Sequence, residues 1–165
     1  MKICIVLIGM PGVGKSTVGV ILAKILGYRF IDTDLVIQEH EKKLLKDIIS
    51  SEGIDGFIEI ENKIISRLKA DKAVIATGGS VIYGQKAMKN LSDIGTIVYL
   101  KLDYRKLKYR LGNIRNRGVV IRKSQRLSDL YNERCPIYEK YADVIIDENG
   151  KDIEKTVDKI LEFIV

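Results

Sequence analysis

Residues 3–17, "ICIVLIGMPGVGKST", constrain the fold more than any other stretch of this chain. An apolar run that reads as a buried strand meets Gly9-x-x-x-x-Gly14-Lys15-Ser16, and "VGVILAKILG" then continues with helical periodicity. Strand, glycine turn and helix in that order form a phosphate-binding loop. Glycines allow backbone N–H groups to converge on an anion, and the start of the helix adds its positive end. Gly12, Val13, Gly14, Lys15, Ser16 and Thr17 are therefore the expected nucleotide contacts. Lys15 can reach the β- and γ-phosphates of ATP or GTP, and the Ser16 hydroxyl can bind Mg²⁺. The dinucleotide pattern G-x-G-x-x-G fails, because Gly12-Val13-Gly14 is followed by Lys15, Ser16 and Thr17.

The rest of the chain repeats the alternation. Short apolar runs at 3–8, 28–31, 73–76, 96–100 and 143–146 read as strands. Helical patterns fall at 15–26, 33–40, 44–50, 55–69, 84–92, 103–111, 125–133 and 151–163. This order predicts an α/β fold with a parallel sheet covered on both faces. A length of 165 residues, with 46% of them hydrophobic, fits one domain with its own core. "MKICIVLIG" reads as the first strand rather than a signal peptide, since it runs straight into the glycine turn without a small-residue cleavage site. No apolar run reaches the roughly 20 residues of a membrane span. Cys4 and Cys135 have no metal-binding spacing, and a reduced, cytoplasmic protein is the simplest expectation. The net charge of +6 reads as a solvated basic surface aided by anion binding; no RNA-binding motif accompanies it, so no nucleic acid is expected.

Ligands of open α/β sheets bind at the carboxyl ends of the strands. "FIDTDLV" places Asp32 and Asp34 there, beside the phosphate loop. One Asp can cap the following helix. In the functional reading one holds the Mg²⁺ water shell and the other orients or deprotonates an acceptor hydroxyl. "VIATGGSV" puts Gly78 and Gly79 at the end of the third strand, where paired glycines permit a close backbone approach or simply make a turn. Residues 112–125, "GNIRNRGVVIRKSQ", are polar, basic and long for a plain loop, as lids often are. His40, the only histidine, sits in a polar helical stretch and is expected to be exposed.

These pieces together resemble the shikimate kinase family, within the nucleoside monophosphate kinase group of P-loop proteins. The resemblance covers essentially the whole chain: "GMPGVGKST", "DTD", "FIEIE", "TGGS", "RLGNIRNRG" and "RCPIY" occur in the family's order. It implies a three-layer P-loop NTPase fold with a five-stranded parallel sheet and a mobile lid at about 112–125. It also implies phosphoryl transfer from ATP to a hydroxyl of shikimate, assisted by Mg²⁺. By resemblance Lys15, Ser16 and Asp32 serve the phosphates and the metal, with Ser16 and Asp32 as the metal residues. Asp34 matches the aspartate that binds the acceptor hydroxyls, and Gly79, beside Gly78, a glycine that touches the acceptor. Arg117 matches the lid arginine at the transferring phosphate, Arg110 one near the adenine, and Arg134 one that binds the shikimate carboxylate.

Three positions depart from the family pattern. Phe57 is followed by Ile58, where the family has a second carboxylate-gripping arginine; Arg117 is followed by Gly118 instead of proline; and the third glycine of the triplet is Ser80. Phe57, Ile60, Ile64 and Leu68 mark one helical face, and Glu61 projects into its middle. A carboxylate there needs a cation or a polar pocket. The leading expectation is thus a monomeric ATP-dependent kinase with Lys15, Asp34 and Arg117 as its catalytic residues. Phe57, Ile58, Gly78, Gly79 and Arg134 join Asp34 at the acceptor. The alternatives are a kinase of another hydroxylated acceptor (a sugar acid, polyol or nucleotide) and a nucleotide-binding regulatory module.

Overall fold

The computed structural model describes residues 2–112 and 119–164. Strand β1 (Cys4–Ile8) runs through the middle of a five-stranded sheet whose other members are β2 (Arg29–Asp32), β3 (Ala73–Ala76), β4 (Gly95–Lys101) and β5 (Val144–Asp147). All pairings are parallel, in the order β2-β3-β1-β4-β5. β1 and β3 are buried along their whole length, which is why their sequences are continuously apolar instead of alternating. Helices α1 (Lys15–Leu26), α2 (Thr33–Glu41), α3 (Leu45–Ile65), α4 (Gln85–Ile94), α5 (Tyr104–Leu111), α6 (Leu127–Tyr141) and α7 (Ile153–Ile164) link or follow the strands. The five strands and most helices lie within about two residues of the segments expected from the sequence.

One expectation stands with a shorter end and another needs correction. The helical segments expected at 44–50 and 55–69 are the two halves of α3, which meet at a kink at Gly53; the second half stops at Ile65, short of 69. Gly53 has φ 73° and ψ 175°, a non-helical conformation that disfavours any side chain, so the first helical run ends there and the second begins. The segment expected at 125–133 extends to Tyr141, straight through Pro136. Proline removes one helical hydrogen bond. The packing of the buried face of α6, through Leu130, Cys135 and Tyr138, outweighs that loss, and Tyr138 stacks on Tyr99 of β4 with ring centroids 5.2 Å apart. The sequence reading also missed a 3₁₀ turn at Val81–Tyr83.

The β1–β3 pairing sets the carboxyl end of β1 beside that of β3. The glycine turn after β1, the "DTD" after β2 and the "TGGS" after β3 consequently gather on one edge of the sheet. Among the described residues, no helix is long and apolar enough to cross a membrane.

Candidate active site

The turn after β1 uses its glycines as expected. Gly9, Gly12 and Gly14 have φ of 147°, 86° and 96°. Gly14 is the N-cap of α1 and offers no side chain to its first N–H groups, which leaves them for a ligand. Lys15 is buried, and its Nζ donates to the carbonyl oxygens of Gly9 (2.7 Å) and Met10 (2.9 Å). Burial pulls the Lys15 pKa down to about 8, against the pull of Asp34, Glu148 and Asp32. The loop therefore holds a desolvated cation, which a phosphate would stabilise.

Val13, Gly14 and Thr17 line a cavity of about 590 Å³ that continues toward Arg110, Glu148 and the first residues of α7. Its size suits a nucleoside. Arg110 Nη1 donates to the Val13 carbonyl at 3.4 Å, which brings α5 against the phosphate loop. Glu148 was not singled out from the sequence, yet it is buried in the wall of this cavity. Its Oε2 has no hydrogen-bond partner among the described residues, and burial lifts its pKa to about 7 despite Arg110 and Lys15. Its place directly after β5, at the carboxyl end of a parallel strand, was the signal that could have found it.

Asp32 is the aspartate of the pair that caps the following helix. Its Oδ1 caps α2 by accepting from the N–H groups of Asp34 (2.9 Å) and Leu35 (3.4 Å). Its Oδ2 accepts from the Ser16 hydroxyl at 3.4 Å. A hydroxyl and a carboxylate oxygen facing each other at the mouth of a phosphate loop form a hard-oxygen donor set that fits Mg²⁺.

Asp34, Gly78, Gly79, Phe57 and Arg134 come together in a small cleft of about 60 Å³, completed by Pro11, Leu45, Ser80, Val119 and Val120. Burial and the neighbouring Asp32 raise the Asp34 pKa to about 6, with Lys15 opposing. A Cβ on Gly78 would lie 2.7 Å from Asp34 Oδ1 and 3.1 Å from Glu61 Oε2. On Gly79 it would lie 2.9 Å from both Arg134 Nη1 and Pro11 Cδ. Gly79 thus sits against the rigid ring of Pro11, while Gly78 faces only the ends of two carboxylate side chains. Arg134 is 1% exposed; its Nη2 donates to the Val120 carbonyl at 2.7 Å. Tyr138, another residue missed from the sequence, ties α6 to this cleft by donating to the Gly79 carbonyl at 2.6 Å.

Among the described residues Glu61 meets a hydroxyl and no ion-pair partner. It is 1% exposed, and its Oε1 accepts from the Ser80 hydroxyl at 2.7 Å. Its Oε2 has no partner among the described residues. Burial raises its pKa to about 8; the Ser80 hydrogen bond and Arg134 only partly offset that, and Asp34 reinforces it. Ile58 does not line the cleft that contains Asp34. It lies in an adjoining cavity with Tyr83, Arg122 and Arg134. Arg117 and Gly118 lie outside the described residues. His40 is exposed beside Glu41, at 3.3 Å, as expected.

A family model described as shikimate kinase matches residues 11–165. The chain belongs to the shikimate kinase family. Within that family, a shikimate kinase of Clostridium botulinum (strain Eklund 17B, Type B) is 35% identical over 100% of this chain and 99% of its own length. One from Clostridium botulinum (strain ATCC 19397, Type A) is 41% identical over 90% of this chain and 89% of its own. The solved structure of shikimate kinase from Acinetobacter baumannii in complex with shikimate is similar with a TM-score of 0.88 and 32% identity, covering 98% of this chain and 92% of that one. The family also accounts for the ATP-dependent small-molecule kinase chemistry expected from the phosphate loop.

Proposed function

We propose that this protein transfers the γ-phosphoryl group of ATP to a ring hydroxyl of shikimate, giving shikimate 3-phosphate. The observation that carries this reading is Pro11. It belongs to the phosphate loop, and it is also a wall of the cleft that holds Asp34 and Arg134. A phosphate held by the loop and a hydroxyl held in the cleft are thereby neighbours, as an in-line transfer requires.

The roles follow from the charges. Lys15 leaves the Gly9 and Met10 carbonyls and binds the β/γ-phosphates. Asp34, with a pKa of about 6, is ionised at neutral pH and close enough to neutrality to align the acceptor hydroxyl and take its proton. Arg134 binds the acceptor's carboxylate in place of the Val120 carbonyl. Arg117 is assigned to the transferring phosphate by family resemblance. Ser16 and Asp32 would hold Mg²⁺, which supplies charge neutralisation on the phosphates when bound. Arg110, Val13 and Thr17 take the nucleoside side. An acceptor of shikimate's size needs Val119 and Val120 to withdraw from the cleft, which supports a covering role for residues 112–125 within a single domain. The protein is proposed to work as a cytoplasmic monomer without nucleic acid.

Coupled ADP release is the test, run with shikimate against hydroxylated acids, sugars and nucleoside monophosphates. Shikimate is expected to give the largest kcat/KM. ADP release that no acceptor stimulates, or that a sugar acid stimulates more, overturns the reading.

A further inference from the structure

Arg134 is an anomaly in its own surroundings. Its guanidinium is buried, and its described contacts are neutral: the Val120 carbonyl at 2.7 Å, the Tyr83 hydroxyl at 3.4 Å and the Tyr83 ring at 5.4 Å. Among the described residues no carboxylate reaches ion-pair distance of it. A buried cation with neutral contacts is poorly compensated, so the site is built for an anion that arrives with the ligand. A carboxylate held by one guanidinium in a desolvated cleft would gain from a second one. The nearest helical candidate is position 58, and it is apolar.

The adjoining cavity supplies a different candidate. Arg122 lines it together with Ile58, Tyr83, Val120 and Arg134. Arg122 stands two residues after Val120, whose carbonyl now occupies the Arg134 donor. Its Nη2 pairs with Asp55 at 2.7 Å, but the two side chains are 57% and 79% exposed. Such a pair is screened by water and readily surrendered. By contrast, Gln125 and Glu133 on the same rim are already tied to each other, and Glu133 also accepts from Tyr83.

We propose that Arg122 is the second acceptor-binding cation of this protein, exchanging Asp55 for the acceptor's carboxylate and so replacing the arginine that α3 lacks at Ile58. The inference rests on the shikimate kinase reading above. It moves half of the anion grip from a helix to the chain segment that follows residue 118. Binding of the carboxylate then fixes Arg122 beside the acceptor once Val119 and Val120 have moved aside, whereas a helix-borne arginine would leave that segment untouched.

Four proteins test this: wild type, Arg122→Gln, Ile58→Arg and the double variant, with the carboxamide of shikimate as a second, uncharged acceptor. Arg122→Gln is expected to raise the KM for shikimate about tenfold, with the KM for ATP and the melting temperature unchanged. The carboxamide should show no such change. Ile58→Arg should restore most of the loss in the double variant while adding little to wild type. Arg122→Gln within twofold of wild type, equal losses for both acceptors, or purely additive substitutions each overturn the proposal. Calorimetric binding of shikimate to the same proteins reads Arg122 without turnover. A wild-type protein that binds shikimate through Arg122 but releases no ADP defeats the kinase reading alone.

Discussion

The phosphate loop and the acceptor cleft meet at Pro11, and they are strained in opposite ways. The loop buries a cation whose hydrogen-bond partners among the described residues are its own carbonyls. At the cleft, the half-buried carboxyl of Asp34 and the buried one of Glu61 behind it both approach Gly78, where a Cβ would lie 2.7 Å from the first and 3.1 Å from the second. A nucleotide brings negative charge to the first region and relaxes it. In the second the charge must already be managed without ligand: burial raises the Glu61 pKa to about 8, so that carboxyl keeps its proton at neutral pH, whereas Asp34, at about 6, carries the charge. Sites that await a ligand and sites that are internally settled should respond differently to mutation and to pH.

The sharpest separation comes from Lys15→Met. Transfer should fall by at least about 10³-fold, since the charge acts on the phosphates. The fold should lose nothing. The folded-state pKa of Lys15 is depressed, so its charge destabilises the protein below about pH 8, and that burden fades as pH rises toward 10.5. Turnover and thermal melting measured together at pH 7 should show an inactive protein that melts at or above the wild-type temperature. A clearly lower melting temperature would mean that the loop does not wait for an anion.

Gly79→Ala acts mainly on the second region, touching the first only at the shared Pro11. The added methyl would press on Arg134 and Pro11. We expect kcat/KM for shikimate to fall about 10²-fold while the KM for ATP stays within about threefold. Equal losses for both substrates would erase the distinction between the two regions.

Glu61→Gln should stabilise the protein, and only at higher pH. Below about pH 4.5 the folded and unfolded states both carry the proton. Between 4.5 and 8 only the folded state keeps it, so stability falls as pH rises and levels off above 8. Urea unfolding should find the Gln variant more stable by about 4 kcal/mol at pH 8 and by under about 1 kcal/mol at pH 5. A pH-independent difference would show that Glu61 is ionised in the fold. The smallest effect belongs to Ser80→Ala. Loss of its hydroxyl from Glu61 should cost about 1 kcal/mol in the same experiment, with little change in shikimate KM.

What could be read from the sequence differs between the same two regions. The phosphate loop was legible because a few contiguous residues and one period change define it. Asp32 and Asp34 were legible because parallel strands put their carboxyl ends on one edge. Glu61 was visible as a polar residue in an apolar stripe, but its partner was not. Ser80 lies 19 positions away across a strand and a turn, and only the packing of α3 against the β3 end joins them. Tyr138 escaped notice for a related reason. Its helix was expected to stop before Pro136, and the packing that carries α6 past the proline is tertiary. Ile58 was recognised as a departure, but its displacement into a second cavity depends on where Arg134 and Tyr83 lie.

Asp32 makes one carboxylate answer to two regions. One oxygen fastens the first turn of α2, from which Asp34 projects, and the other faces Ser16 at the phosphate loop. A cation drawing on the second oxygen weakens the first as a hydrogen-bond acceptor, and with it the hold on the helix start. Occupancy at the nucleotide would then register as a change in amide exchange at Asp34 and Leu35. Asp34, the proposed partner of the acceptor, would in this sense be wired to the donor through a single side chain, and a titration of metal against those two amides would read the wire directly.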